Sequence, residues 1–374
     1  MMLRRTQTTG SARRSLAVLA AAAAVAAMAV VPTAIGGAAV ASASTLATSP
    51  QKTDMAELMK SYNSSTGEMG NSWWQAAVAL STLETYEQTT KDASYDYAIA
   101  AAFSHHESSK FEDNFDDDTG WWGLAWLQAY HITGDRQYLS MAETDANYIH
   151  ERWDNTCGGG VWWKRRPRFY KNAIANELFL DLTAWLHNSM RGDTKYLRWA
   201  EAEWSWFSGS GMINSSHLIN DGLTSTCRNN GRKTYTYNQG VILAGLAQLY
   251  KATKEAGLLA EAESIANAAI SNLTTRGVLH EPCTGSGCRS GTGSDGQSFK
   301  GIFVRDLKIL VETAHTTKFN SFFAAQARSI EARDTTKAHQ VGFLWSGPIV
   351  DLTSYSQASG LDALVAALEL PGHA

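Results

Sequence analysis

Three consecutive aspartates, Asp116, Asp117 and Asp118, stand three residues ahead of a tryptophan pair, Trp121 and Trp122, in the run FDDDTGWWGLAWL over residues 115–127. Carboxyls placed side by side resist double ionisation, so one pKa is driven up and another down. The ionised member can attack or activate, and the protonated member can donate. Flat indoles beside them offer an apolar platform to a sugar ring. Together these are the parts of glycoside cleavage. The alternatives are a solvated acidic loop or a helix cap, and a calcium loop, whose closing glutamate is missing. Neighbouring Cα atoms lie about 3.8 Å apart. Their carboxyls reach the short separation of retaining enzymes, about 5–5.5 Å, more readily than the longer one of inverting enzymes.

What must position these residues is a series of helices. Six segments open on polar or aromatic residues and continue as an apolar helix: at Asn71 to Trp74, Asp117–Asp118, Tyr170 to Asn172, Tyr237 to Gln239, Phe299 to Gly301 and Tyr355 to Gln357. The spacing is roughly 55 residues per unit, enough for a two-helix hairpin. In the fourth unit Val241, Ile242, Leu243, Leu246, Leu249 and Tyr250 leave little polar surface, which predicts a helix buried on nearly all sides. Leu258, Leu259, Ala262, Ile265, Ala266, Ala269 and Ile270 follow at three- and four-residue spacing, as on an outer, one-faced helix. Turns at Thr133–Gly134–Asp135 and Arg191–Gly192–Asp193 join inner to outer helices. An all-α chain of six hairpins in two concentric rings results, and no series of alternating strands competes with it.

In such a ring the six openings share one end, where helix N-termini present partial positive charge. Trp73, Asp117, Asn172, Asn238, Lys300 and Gln357 should converge there. A single opening would read as a cap; six that bring aromatics with them read as a cleft. Trp121 and Trp122 are candidates for stacking on sugar, Trp73 and Trp74 for a distal subsite, Asn172, Tyr237 and Asn238 for sugar hydroxyls, and Lys300 for a polar wall.

The N-terminus carries Arg4, Arg5, Arg13 and Arg14, then an uncharged alanine-rich run over residues 16–31 and an Ala41–Ser42–Ala43 cleavage pattern. This predicts a signal peptide over residues 1–43, export to the extracellular space, a flexible segment over 44–54 and one catalytic domain over 55–374. No stable membrane insertion is expected, and the export route is left open. Formal net charge is −4 with no basic block beyond the leader, which argues against nucleic acid as a partner. Four cysteines in an exported chain favour disulfides over a zinc site. Three pairings are possible; the flexible loop bracketed by Cys283 and Cys288 favours that pair, leaving Cys157 with Cys227.

The motifs taken together resemble glycoside hydrolase family 76, the α-1,6-mannanases and their fungal cell-wall relatives. The resemblance runs through DDTGWWGLAWLQAY (117–130), CGGGVWWKR (157–165), YKNAIANELF (170–179), YTYNQGVILAGLAQLY (235–250), FKGIFVRDL (299–307) and QASGLDAL (357–364), in order along the chain. It implies an (α/α)6 barrel and endo-acting, retaining cleavage of α-1,6-mannan without cofactor or metal. Aligned on Trp121–Trp122, it places the nucleophile at Asp117 and the acid/base at Asp118, while Asp116 falls where the family more often has an aromatic residue. A monomer acting on mannan polysaccharide or oligosaccharide is expected. The rival expectations are a transglycosidase acting on mannan or a mannosylated glycolipid, and a mannan-binding protein without catalysis.

Overall fold

A computed structural model describes residues 50–282 and 295–368. Twelve helices occur among them. The inner ones are α2 (Trp73–Thr90), α4 (Asp116–Thr133), α6 (Ala173–Ser189), α8 (Thr236–Thr253), α10 (Gly296–Ala314) and α12 (Ser354–Ala366). Each packs on the next, and α12 returns to α2, closing the ring. The outer helices are α1 (Pro50–Met59), α3 (Asp96–His106), α5 (Arg136–His150), α7 (Lys195–Gly209), α9 (Ala256–Asn272) and α11 (Asn320–Arg333). The chain is an (α/α)6 barrel.

The inner helices are buried almost all round, as α8 illustrates with an unbroken buried stretch from Asn238 to Leu249. Their close approach needs small residues. A Cβ on Gly301 would collide with the Ser359 backbone of α12, and one on Gly240 with that of Phe303 on α10. Both inner-to-outer turns lie where the sequence places them. Gly134 and Gly192 take positive φ, and Asp135 and Asp193 accept hydrogen bonds from the first backbone N–H groups of the following helices.

Two expectations are corrected. The segment 44–54 is not loose throughout: residues 50–54 are the first turn of α1, with Gln51 and Asp54 buried. The sixth hairpin is also closed differently. The outer partner of α12 is α1, which packs against it from the other end of the chain. Asp54 fixes this closure, since its carboxylate meets His339 Nδ1 at 2.8 Å and its carbonyl accepts from Gln357 Nε2 at 2.9 Å. The predicted signal peptide lies outside the described residues. Among the described residues no helix is long and apolar enough to cross a membrane.

Three two-residue hairpins decorate outer-to-inner connections: β1 (Tyr62–Asn63) with β2 (Glu68–Met69), β3 (Lys164–Arg165) with β4 (Arg168–Phe169), and β5 (Thr274–Thr275) with β6 (Val278–Leu279). These connections lie at the N-terminal end of the inner ring. Of the three, the β3–β4 connection supplies Trp163, Phe169 and Tyr170 to the cleft at that end.

Candidate active site

The aspartate triplet is the first turn of α4, where the helix dipole favours negative charge. Successive residues on a helix point about 100° apart, so the three carboxyls part ways. Asp116 is fully buried and turns away from solvent toward Arg165 Nη1, 3.3 Å distant. Arg165 also meets Glu151 at 3.1 Å and lies over the Tyr148 ring. This pair bolts the β3–β4 hairpin to α4. Asp117 and Asp118 instead line a cleft of about 450 Å³.

The environments of these two differ. Burial raises both carboxyls above the ordinary range. Asp117 is partly relieved, because the Trp163 indole donates to its Oδ2 at 3.0 Å and backbone N–H groups of the first turn stabilise its charged form. Asp118 has no such donor among the described residues. Burial and the negative charges of Asp117, Asp113 and Asp295 all push it upward. Asp118 therefore holds its proton to higher pH than Asp117. The cleft contains one carboxylate prepared to be ionised and one prepared to donate.

Aromatics wall the cleft. Trp74 and Trp121 lie with centroids 5.9 Å apart and planes inclined by 29°, and Tyr237 stacks on Phe299 at 3.9 Å. Phe115, Trp163, Phe169 and Tyr170 form the facing wall. Two further carboxyls enter: Asp295 accepts from Trp74 Nε1 at 3.3 Å, and Asp221 accepts from the Tyr170 hydroxyl at 2.6 Å. The loops holding Tyr170 and Asp221 are joined by the Cys157–Cys227 disulfide and by an Asn172–Gly222 bridge. Cys283 and Cys288 lie outside the described residues.

Of the predicted site residues, Asp117, Asp118, Trp74, Trp121, Asn172 and Tyr237 line the cleft. Asn172 is also the N-cap of α6, accepting from Ala175 N. The other four do not line it. Trp73 and Trp122 pack together at 4.7 Å, with Phe111 and Trp126 completing an aromatic core. Adjacent tryptophans on one helix cannot both face the same space, and here one of each pair turns inward. Truncating Trp122 to alanine would cost about 3–5 kcal/mol. Asn238 is fully buried in α8. Lys300 is buried one turn inside α10, donates to the Phe343 carbonyl at 2.6 Å and sits over the Phe343 and Trp345 rings. It anchors the loop over residues 334–353 and forms no wall.

Sequence reasoning missed Trp163, Asp221, Arg232, Tyr235 and Asp295. Trp163 sits in the CGGGVWWKR motif, which was its available signal. Tyr235 opens the YTYNQGVILAGLAQLY motif in the same way, and Asp221, Arg232 and Asp295 lie in connections that only the closed ring brings together.

A second cavity, about 500 Å³, opens at the opposite end of the barrel. Its carboxyls Asp306 and Asp362 flank Arg305 at 3.9 and 3.5 Å, and they come from different helices. It has no carboxyl pair within a single helical turn and no inner-helix N-terminus, so the chemistry belongs to the cleft.

Residues 41–371 match the sequence model of glycosyl hydrolase family 76. A putative mannan endo-1,6-alpha-mannosidase of Schizosaccharomyces pombe is 28% identical over 317 residues, covering 77% of this chain and 71% of that one. The mannan endo-1,6-alpha-mannosidase DCW1 of Eremothecium gossypii is 26% identical over 332 residues, 80% and 70% of the two chains. Among solved structures, the α-1,6-mannanase GH76A of Salegentibacter sp. HEL1_6 superposes with a TM-score of 0.75 at 26% identity, over 86% of this chain and 99% of that one. An inactive variant of that enzyme, with two consecutive aspartates changed to asparagine, is known in complex with α-1,6-mannotriose; it superposes with a TM-score of 0.75 at 25% identity, covering 85% and 98%.

Proposed function

The chain belongs to glycosyl hydrolase family 76 and is a glycoside hydrolase, and from that premise we propose that it is an exported endo-α-1,6-mannanase that cleaves with retention. The observation that carries the mechanism is the unequal pair in the cleft: Asp117 held toward its ionised form by an indole N–H, and Asp118 held protonated. An Asp117 carboxylate oxygen attacks the anomeric carbon of one mannose while Asp118 passes its proton to the departing O6 of the next. The C1–O6 bond breaks and a glycosyl ester on Asp117 forms. Asp118, now ionised, takes a proton from water. The resulting hydroxide attacks C1, and Asp117 leaves as carboxylate. The loss of activity in the Salegentibacter enzyme on changing two consecutive aspartates supports this assignment.

Trp74, Trp121, Tyr237 and Phe299 supply apolar faces for mannose rings, and Asn172 and Asp221 supply hydrogen-bonding groups for their hydroxyls. The leader read from the sequence supports export. The test is incubation of the secreted form with unbranched α-1,6-mannan beside the Asp117→Asn variant, with products followed by chromatography. Short mannose oligomers from the native protein alone are expected. Rearranged, longer chains would replace hydrolysis by transglycosylation, and an unchanged polymer would end the proposal.

A further inference from the structure

One flank of the cleft carries a charge for which a neutral mannan has no use. The connections over residues 151–172 and 210–235 form a single surface, tied by the Cys157–Cys227 disulfide, by the Tyr170–Asp221 hydrogen bond and by Arg232 lying over the Tyr170 ring at 5.7 Å. Arg166, Arg168, Arg228, Arg232 and Lys233 are exposed on it. The carboxylates on the same connections are already engaged. Glu151 meets Arg165 at 3.1 Å, Asp154 meets Arg168 at 2.8 Å and Lys171 at 3.0 Å, and Asp221 accepts from Tyr170. Among the described residues Arg166 and Arg228 are left without a carboxylate partner, and Lys233 donates to the Pro282 carbonyl. The chain as a whole carries −4, and the adjoining connection over residues 107–115 sets Glu107, Glu112 and Asp113 against Lys110. The positive sign is therefore local to this flank.

A guanidinium can donate to a sugar hydroxyl, but two without a carboxylate partner are matched better by phosphate oxygens, which they bind with charge-assisted, paired hydrogen bonds. We propose that the substrate is an α-1,6-mannan bearing phosphate esters, and that Arg166 and Arg228 receive the phosphate beside the cleft. This rests on the α-1,6-mannanase reading and names the substrate class within it. A field of this kind raises encounter rates with an anionic polymer and is screened by salt.

The experiment compares unbranched α-1,6-mannan with the same polymer after chemical phosphorylation. It uses the native chain and the Arg166→Gln/Arg228→Gln variant, at low and high salt. Two quantities are read: kcat/KM, and retention of the protein in gels containing each polymer. The native chain should prefer the phosphorylated polymer about tenfold at low salt and lose that preference at high salt. The variant should lose roughly three- to twentyfold on the phosphorylated polymer, with kcat/KM on neutral mannan unchanged. Equal handling of both polymers by the native chain, or an undiminished preference in the variant, would overturn the inference. Neutral mannan left uncut would defeat the mannanase reading instead, and gel retention would still decide the charge question. Equal, Arg-dependent retention on phosphatidylglycerol vesicles would point to a membrane surface and also overturn it.

Discussion

The Trp163→Phe substitution isolates the side-chain hydrogen bond that helps to separate the two cleft carboxyls, leaving the backbone N–H groups at Asp117 in place. The backbone ties at residue 163 survive it: its N–H donates to the Tyr170 carbonyl at 2.8 Å, and its carbonyl accepts from Asp116 N at 2.9 Å. A phenyl ring can also keep the packing on Phe115, whose centroid lies 4.9 Å away. What is lost is the indole N–H to Asp117 Oδ2 at 3.0 Å. A hydrogen bond to a charged group is worth about 1.5–3 kcal/mol, and one pKa unit corresponds to about 1.36 kcal/mol. Burial already raises Asp117, and the indole opposes it. Removing the indole donor should therefore raise Asp117 further, by about 1–2 units. In a pH profile of kcat/KM on α-1,6-mannan oligomers, the acid limb should move up by that amount. The alkaline limb, set by Asp118, should stay. The bell narrows from one side, and well below the native limb the rate falls about 10- to 100-fold. An acid limb that stays put or moves down would refute the assignment of Asp117 as the group that must be ionised. A loss of folded protein without a moved limb would make Trp163 merely structural.

Other consequences follow from the same structure. Burial raises the Asp116 carboxyl to about 8 even beside Arg165, so Arg165→Met leaves a protonated carboxyl without its donor and should cost about 1–3 kcal/mol in urea unfolding; an unchanged unfolding midpoint would mean that the hairpin is held otherwise. Replacing Cys157 and Cys227 by alanine opens a link spanning 70 residues. The chain-entropy relation puts its loss at about 4 kcal/mol, read as a lower unfolding midpoint. An unchanged midpoint would show that the two connections are ordered without the disulfide. Stability should also fall as pH rises from about 5 to 8. Asp306 and Asp334 are raised by burial to about 7 and Asp362 to about 6, and Glu84, Asp145, Glu177, Asp181 and Glu203 are raised well above their ordinary values. In the unfolded chain these groups ionise near pH 4, so their contribution is whole below that and is lost as pH climbs through their folded values. Asp92 and Asp154, lowered to about 2, act oppositely and lose theirs only as pH drops from about 4 toward 2. A Tm that rises between pH 5 and 8 would contradict this balance.

The barrel was legible because burial leaves a pattern in sequence. The continuous apolar face of α8 and the one-faced spacing of α9 distinguish inner from outer helices without any knowledge of tertiary contacts. The site was legible where chemistry and helix start coincide, at Asp117, Asp118, Trp74, Trp121, Asn172 and Tyr237. It failed where direction around a helix mattered. Trp73 and Trp74, Trp121 and Trp122, and Tyr237 and Asn238 are neighbours in sequence, yet a rotation of about 100° sends one of each pair into the core. Lys300 looked like the start of a helix, but α10 begins at Gly296, so its ammonium is enclosed by Phe343 and Trp345. Asp221, Arg232 and Asp295 have no periodic context, and only the closure of the ring brings them to the carboxyl pair. Ring closure through α1 was equally hidden, since the partner of Gln357 is the carbonyl of Asp54, some three hundred residues earlier.

The central claim is that Asp117 and Asp118 cleave an internal α-1,6-mannosidic bond through a glycosyl ester. It is tested most directly by following the first products from unbranched α-1,6-mannan by proton NMR. The account predicts oligomers whose new reducing ends appear first as the α-anomer and only later mutarotate, with no signal from Asp117→Asn. New reducing ends that appear first as the β-anomer, or cleavage that persists in Asp117→Asn, would contradict it.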